Sequence, residues 1–167
     1  PPPFTPPAWL FERYERMELP APVVGDWAEP FSGPRRGLDP EGREYDQHLD
    51  LDPLVMHACR AAYFGLINHV DLQLGRLIQY LRDTGLLESS FLMFVSDHGE
   101  MLGDHHMFEK TRGFDASARV PFLACAPHRL GFPREVICNS PVGLQDVMPT
   151  LLDVAGAEIP SSVAGHS

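Results

Sequence analysis

The sequence predicts an α/β fold in which a layered sheet is flanked by helices. Three observations lead to this prediction: a long segment with helical periodicity, two short and wholly apolar runs after it, and a final amphipathic segment. The order along the chain is helix, strand, loop, strand, helix. This alternation is typical of a sheet covered by layers of helices.

The first 52 residues are rich in Pro and Gly and show no sustained period of 2 or 3.6. Such a composition predicts an extended, Pro-rich loop arm, residues 1–52, that precedes an α/β portion, residues 53–167. A poorly ordered linker is the alternative interpretation. Aromatic residues spread through the arm favour packing on another part of the protein: Phe4, Trp9, Phe11, Tyr14 and Trp27.

A long helix is predicted for residues 53–83. Asp52 suits the N-cap, Pro53 suits the first helical position, and Gly85 suits a left-handed residue after the last turn. Gly65 and Gly75 each cost such a helix about 1 kcal/mol relative to Ala, so packing must hold it. Apolar residues recur at spacings of three and four and form one stripe: Val55, Cys59, Ala62, Leu66, Val70, Leu74, Leu77 and Leu81.

Two strands are predicted at residues 91–95 and 120–126. Both runs are apolar on both faces, which is expected of strands buried between helix layers. A short helix is predicted at residues 146–155, because Pro149 is tolerated in its first turn and Gly156 can end it.

The composition excludes several classes of function. The net charge of −10 argues against binding nucleic acid or an anionic membrane through bulk charge. No apolar run approaches the roughly 18 residues that a membrane span needs. Three Cys without a C-x-x-C pair predict no disulfide framework, and we expect a reducing, cytoplasmic location. The Pro-rich opening and the uncapped end lead us to expect a piece of a longer protein.

The stretch SDHGEMLGDHH, residues 96–106, contains two Asp, one Glu and three His directly after a predicted strand. In sheets of this type ligands gather beyond the carboxyl ends of the strands. Asp97 and His98 can both reach one divalent cation only if the backbone turns sharply, which Gly99 permits. Oxygen and nitrogen ligands suit Ca²⁺, Mg²⁺, Mn²⁺ or Zn²⁺. Alternatively, Asp97 caps a turn and His98 is simply exposed.

The residues after this stretch extend the pattern. Lys110 follows His98 by 12 residues, and FDASARVPFLACAP comes next. Together they resemble the sulfatase family of the alkaline phosphatase superfamily. The helix before the strand, the later PTLLDVAG segment and the opening PPPFTPP resemble the same family in the same order. The matching positions around the loop are Ser96, Asp97, His98, Gly99, Glu100, Leu102, Gly103, Asp104, His105, Lys110, Phe114, Ser117, Arg119, Val120 and Pro121.

The resemblance implies a partial alkaline-phosphatase-like domain from a metal-dependent hydrolase that cleaves small-molecule sulfate esters. Asp97 and His98 would be metal ligands, with Ca²⁺ as the first expectation and Mn²⁺ or Zn²⁺ as alternatives. Lys110 would bind an oxygen of the transferred group and act in catalysis. His105 is a second catalytic candidate that could equally serve structure.

Two alternatives to a sulfatase stay open. The GDHHMFEK stretch and His98 are similar to the phosphonate monoester hydrolase branch, so phosphonate or phosphate monoesters are possible substrates. A non-catalytic domain of the same fold is the other alternative.

The nucleophile of the family is a formylglycine made from Cys in a C-x-P-x-R motif. One such string occurs here, from Cys125 to Arg129, but it follows the SDHGE strand, whereas the family motif lies well before it. We therefore interpret Cys125 as structural and place the nucleophile outside this chain. On this interpretation, the chain alone is inactive.

Overall fold

The computed structural model describes residues 3–31, 35–38, 44–48, 51–110 and 112–167. The chain forms two compact units. The first consists of Pro1–Leu77 and His98–Val120, and the second of Ile78–Asp97 and Pro121–Ser167. The predicted division at residue 52 stays a prediction.

In the first unit, the arm contains regular structure that the sequence did not predict. Helix α1 spans Ala8–Glu15, and strands β1 (Arg35–Leu38) and β2 (Glu44–His48) form an antiparallel hairpin. The prediction of a loop arm is therefore wrong for these segments. The Pro residues nearest to α1, Pro6 and Pro7, precede Ala8, so they limit where the helix begins and do not interrupt it. Parts of the predicted arm, residues 1–2, 32–34, 39–43 and 49–50, lie outside the described residues.

Helix α2 spans Pro53–Asp83, as predicted. The carboxylate of Asp52 accepts a hydrogen bond from the Leu54 N–H at 2.9 Å, and Gly85 has a φ of 72°. Both ends thus have the caps that the sequence predicts. The most buried positions of α2 are three small residues: Ala61, Ala62 and Gly65.

The arm packs on the N-terminal half of α2. The rings of Phe4 and Tyr63 meet edge to face at 5.4 Å, and those of Tyr14 and Phe64 stack at 5.9 Å. Leu10 of α1 is fully buried. The expectation that the aromatic residues of the arm pack on the protein is confirmed for Phe4 and Tyr14.

In the second unit, β3 (Leu92–Val95) and β4 (Phe122–Cys125) pair antiparallel, with Leu92 opposite Cys125 and Val95 opposite Phe122. Both strands are shorter than predicted. The prediction that both faces of these strands are buried is wrong for this chain, because Leu123 of β4 is 59% exposed.

The short helix α3, Asp115–Ala118, belongs to the first unit. In the second unit, helix α4 spans Val147–Val154, within the predicted range, and Gly156 follows with a φ of 70°. Just before it, the Asp146 carboxylate accepts hydrogen bonds from the backbone N–H groups of Gly143 and His166. These two bonds hold the pKa of Asp146 below its usual range. No helix in the described part of the chain combines the length and apolar character needed to cross a membrane.

Candidate functional site

In the first unit, Ser117 joins Gly99, the residue after the predicted site residue His98, to the predicted site residue Lys110. The N–H of Gly99 donates to the carbonyl of Ser117 at 2.7 Å, and the Ser117 hydroxyl donates to the carbonyl of Lys110 at 2.9 Å. Ser117 belongs to the short helix α3, Asp115–Ala118, and is only 4% exposed. The structure therefore brings the backbone of Gly99, next to His98, close to that of Lys110, although the two residues are far apart in the sequence.

Gly99 allows a close approach between two backbone segments. A Cβ atom at this position would overlap the carbonyl oxygen of Ala116 and lie 3.0 Å from its carbonyl carbon. Next to it, the N–H of Glu100 donates to that same oxygen at 2.9 Å. Gly99 is absent from the described residues with positive φ. The sequence indicated Gly99 because it permits a sharp turn, and in the structure its lack of a side chain makes room for the backbone of Ala116.

Replacing Gly99 by Ala is expected to destabilise the protein by about 3 kcal/mol, because the new methyl group forces apart the backbones at Gly99 and Ala116. Gly75→Ala is the matched control. A Cβ at Gly75 meets nothing within 4 Å, and Ala in a helix interior is favoured by about 1 kcal/mol. The free energy of unfolding in urea measures both. Equal effects of the two substitutions would contradict this account of Gly99.

His98 is half-buried, and one of its ring nitrogens is oriented by the backbone. Nδ1 lies 2.8 Å from the carbonyl oxygen of Gly99. Because a carbonyl can only accept, Nδ1 carries the hydrogen and the lone pair of the neutral ring is on Nε2. Metal-binding His residues commonly donate their other N–H to a backbone carbonyl in this way. The donor set of His98 therefore fits a divalent cation.

Asp97 is exposed and ends one segment of the second unit, two residues after β3. Asp97 and His98 each interact with other groups of the protein. Within the described ranges, no group of three or more His, Cys, Asp or Glu side chains is arranged to hold a metal ion. The roles of Asp97 and His98 as metal ligands thus stay predictions.

His105 connects the loop to the arm. Its ring lies 4.6 Å from that of Trp27 and 4.9 Å from that of Phe114. The Gly25 N–H donates to Nδ1 at 3.1 Å, so the neutral ring carries its hydrogen on Nε2. The backbone N–H of His105 donates to Val23. These contacts support a structural role, and a catalytic role of His105 stays a prediction.

Sequence reasoning assigned no role to two charged residues beside the loop, the buried Glu100 and the partly buried Arg60. Glu100 is 8% exposed, and the side chain of Arg60 is 11% exposed. Arg60 Nη1 donates to the carbonyl of Leu102 at 2.9 Å and lies 4.0 Å from Oδ1 of Asp104. Burial lowers the pKa of Arg60, and the charge of Asp104 partly opposes this shift. An Arg among the small, buried residues of α2 was the signal available in the sequence.

The loop that ends at Lys110 is held in an unusual backbone conformation. Four of its residues other than Gly have a positive φ: Leu102, His105, His106 and Glu109, with values of 46°, 53°, 61° and 67°. Each such residue costs about 1 to 3 kcal/mol and persists only where its surroundings enforce it. Conformations of this kind concentrate at functional sites, which supports a functional loop here.

Comparisons with known proteins find a matching family model and similar proteins. A family model described as Sulfatase matches residues 7–157. An arylsulfatase of Clostridium perfringens (strain 13 / Type A) is 38% identical over 166 residues, which are 99% of this chain and 34% of the relative. The multifunctional alkaline phosphatase superfamily protein PehA of Trinickia caryophylli is 35% identical over 181 residues, with the same coverage.

Several solved structures are also similar, and two of them are phosphonate monoester hydrolases. The phosphonate monoester hydrolase SpPMH from Silicibacter pomeroyi has a TM-score of 0.66 at 38% identity, and the match covers 71% of this chain and 23% of that one. The phosphonate monoester hydrolase of Agrobacterium radiobacter has a TM-score of 0.60 at 34% identity, with the same coverage. The arylsulfatase and PehA match nearly all residues of this chain. This chain, in turn, spans only about a third of the length of each of these two relatives.

Proposed function

Because this chain belongs to the sulfatase family of the alkaline phosphatase superfamily, we propose that it forms part of the active site of a metal-dependent hydrolase that cleaves sulfate esters. The observation that carries the proposal is the orientation of His98, whose Nδ1–H donates to Gly99 and whose Nε2 has the lone pair of a metal ligand. The similarity to arylsulfatases supports sulfate esters as substrates.

In this proposal, Asp97 and His98 hold a divalent cation, with Ca²⁺ as the first candidate and Mn²⁺ or Zn²⁺ as alternatives. When bound, the cation would offset negative charge on the transferred group and lower the pKa of the attacking group. The ammonium of Lys110 binds an oxygen of the same group, where charge develops during the reaction. The Nε2–H of His105 is a further donor candidate. The nucleophile, a formylglycine in the family, would come from outside this chain.

A phosphonate or phosphate monoester hydrolase is the second candidate function. It is favoured by the two phosphonate monoester hydrolases among the similar structures and by the similarity to PehA. The same residues would serve, since sulfate and phosphonate esters both present oxygens to a cation and to an ammonium. A non-catalytic domain of the same fold is the third candidate.

The test compares the full-length gene product with the 167-residue chain in the presence of Ca²⁺, Mn²⁺ or Zn²⁺. We expect the full-length protein to hydrolyse 4-nitrophenyl sulfate with a higher kcat/KM than phenyl 4-nitrophenylphosphonate, and the chain alone to hydrolyse neither. The reverse preference would support the second candidate. Turnover by the chain alone would contradict the placement of the nucleophile, and a metal-loaded but inactive full-length protein would support the third candidate.

A further inference from the structure

Glu100 joins the two ends of the loop between itself and Lys110. Its Oε1 accepts hydrogen bonds from the backbone N–H of Leu102, at 3.4 Å, and from the backbone N–H of Glu109. Glu109 directly precedes Lys110. Because the Glu100 side chain is nearly excluded from solvent, these charge-assisted bonds are stronger than they would be at the surface.

Two further contacts hold the peptide groups at and next to Lys110. The Met101 N–H donates to the carbonyl of Glu109 at 2.8 Å, and the Ser117 hydroxyl donates to the carbonyl of Lys110 at 2.9 Å. Together with the bond to Glu100, they fix both polar groups of Glu109 and the carbonyl of Lys110. A Lys ammonium lies on a flexible four-carbon stem, so the backbone beneath it decides which positions it can reach.

The residue that donates this hydrogen bond to Glu100, Glu109, has a strained backbone conformation. Glu109 has a φ of 67°, a conformation that a residue with a Cβ atom does not favour. Without an acceptor for its N–H, this residue would relax toward negative φ and carry Lys110 with it. Oε2 of Glu100 has no hydrogen-bond partner among the described residues. Burying such an oxygen is unfavourable, and the bonds made by Oε1 offset part of that cost.

We propose that Glu100 is a positioning residue whose carboxylate holds Glu109 in its left-handed conformation and thereby directs Lys110 toward the transferred group. The proposal rests on the proposed function of Lys110. It assigns to Glu100 no contact with substrate or metal. Glu100 therefore affects turnover only by positioning Lys110. It holds the loop whether or not substrate is bound.

The first experiment measures the loop directly, by amide hydrogen exchange in Glu100→Ala and Glu100→Gln variants. We expect the Glu109 amide to exchange at least about tenfold faster in Glu100→Ala, because its acceptor is gone. The effect should be smaller in Glu100→Gln, whose side-chain oxygen still accepts. Glu88→Gln, an exposed acidic residue, is the control for loss of charge. Unchanged exchange at Glu109 in both Glu100 variants would overturn the proposal, whatever the activity.

The second experiment is a double-mutant cycle on kcat/KM in the full-length protein. Glu100→Ala should lower kcat/KM by about 100-fold when Lys110 is present, the effect of misplacing a group by about 1 Å. In a Lys110→Ala background it should change kcat/KM by less than about threefold. Glu100→Gln should recover most of the loss.

The outcomes of the cycle separate two possible failures. If Lys110→Ala leaves kcat/KM unchanged, the proposed function of Lys110 is wrong. If Lys110→Ala lowers kcat/KM but Glu100→Ala has an equal effect in both backgrounds, Glu100 acts on stability only and the positioning role is wrong. The midpoint of thermal unfolding, measured for each variant, shows independently whether a loss of activity reflects a loss of folded protein.

Discussion

Replacing Lys110 by Ala in the full-length protein is expected to lower kcat/KM for sulfate esters by about 10² to 10³-fold, the usual loss when one donor to a developing oxyanion is removed. Lys110 is the only lysine in this chain and is half-buried. The hydrogen bond that Lys110 accepts from Ser117 uses its backbone carbonyl, so the substitution leaves that contact in place. We therefore expect the melting temperature to change little.

Steady-state kinetics with 4-nitrophenyl sulfate would measure the effect. Arg112→Gln is the matched control, because it removes one positive charge from an exposed side chain two residues further on. Lys110→Arg should recover only part of the activity, since a planar guanidinium does not reproduce the geometry of a compact ammonium. Equal losses in Lys110→Ala and Arg112→Gln would indicate a general effect of charge and contradict the specific role.

If Asp97 and His98 hold a divalent cation as proposed, replacing His98 by Gln, or Asp97 by Asn, is expected to remove that cation and lower kcat/KM by about 10³-fold, equivalent to several kcal/mol of transition-state stabilisation. The cause is the loss of a ligand: the Nε2 lone pair in one variant and a carboxylate charge in the other. Metal content of the purified full-length protein, measured by inductively coupled plasma mass spectrometry, tests the first part of this expectation.

His128→Gln is the control, because His128 is exposed and lies outside the loop. Chelation followed by addition of Ca²⁺, Mn²⁺ or Zn²⁺ identifies the cation that restores activity. If the Asp97 and His98 variants retain the metal content of the unsubstituted protein, these two residues are not the ligands.

The elements predicted most accurately are those whose signals are local. The bounds of α2 follow from Asp52, Pro53 and a regular apolar stripe, all of which act within a few residues. Helix α1 was missed because Pro residues precede it and obscure a segment, Ala8–Glu15, that contains no Pro or Gly. The burial of its Leu10 against α2 is a tertiary effect that no local pattern reveals.

The residues of the candidate site also fall into two groups, those that the sequence alone indicates and those that only their contacts reveal. Asp97, His98 and Lys110 are recognisable because their motif is continuous in sequence and resembles one family, which the comparisons confirm. Glu100 and Arg60 were not assigned roles, because their importance depends on what they contact. Arg60 reaches the loop from α2, 42 residues earlier in the chain, and Glu100 bonds to backbone groups that face it only after the loop has folded.

By itself, then, the sequence determined the α/β class, the long helix, the family and the residues that carry candidate chemistry, because side-chain type, periodicity and spacing are properties of adjacent positions. Only the tertiary structure decided how those residues are held. The contact between Gly99 and Ala116, the bond from Ser117 to Lys110 and the bonds to Glu100 each join segments separated in sequence. Such contacts depend on distances that only folding sets, and they determine where His98 and Lys110 lie.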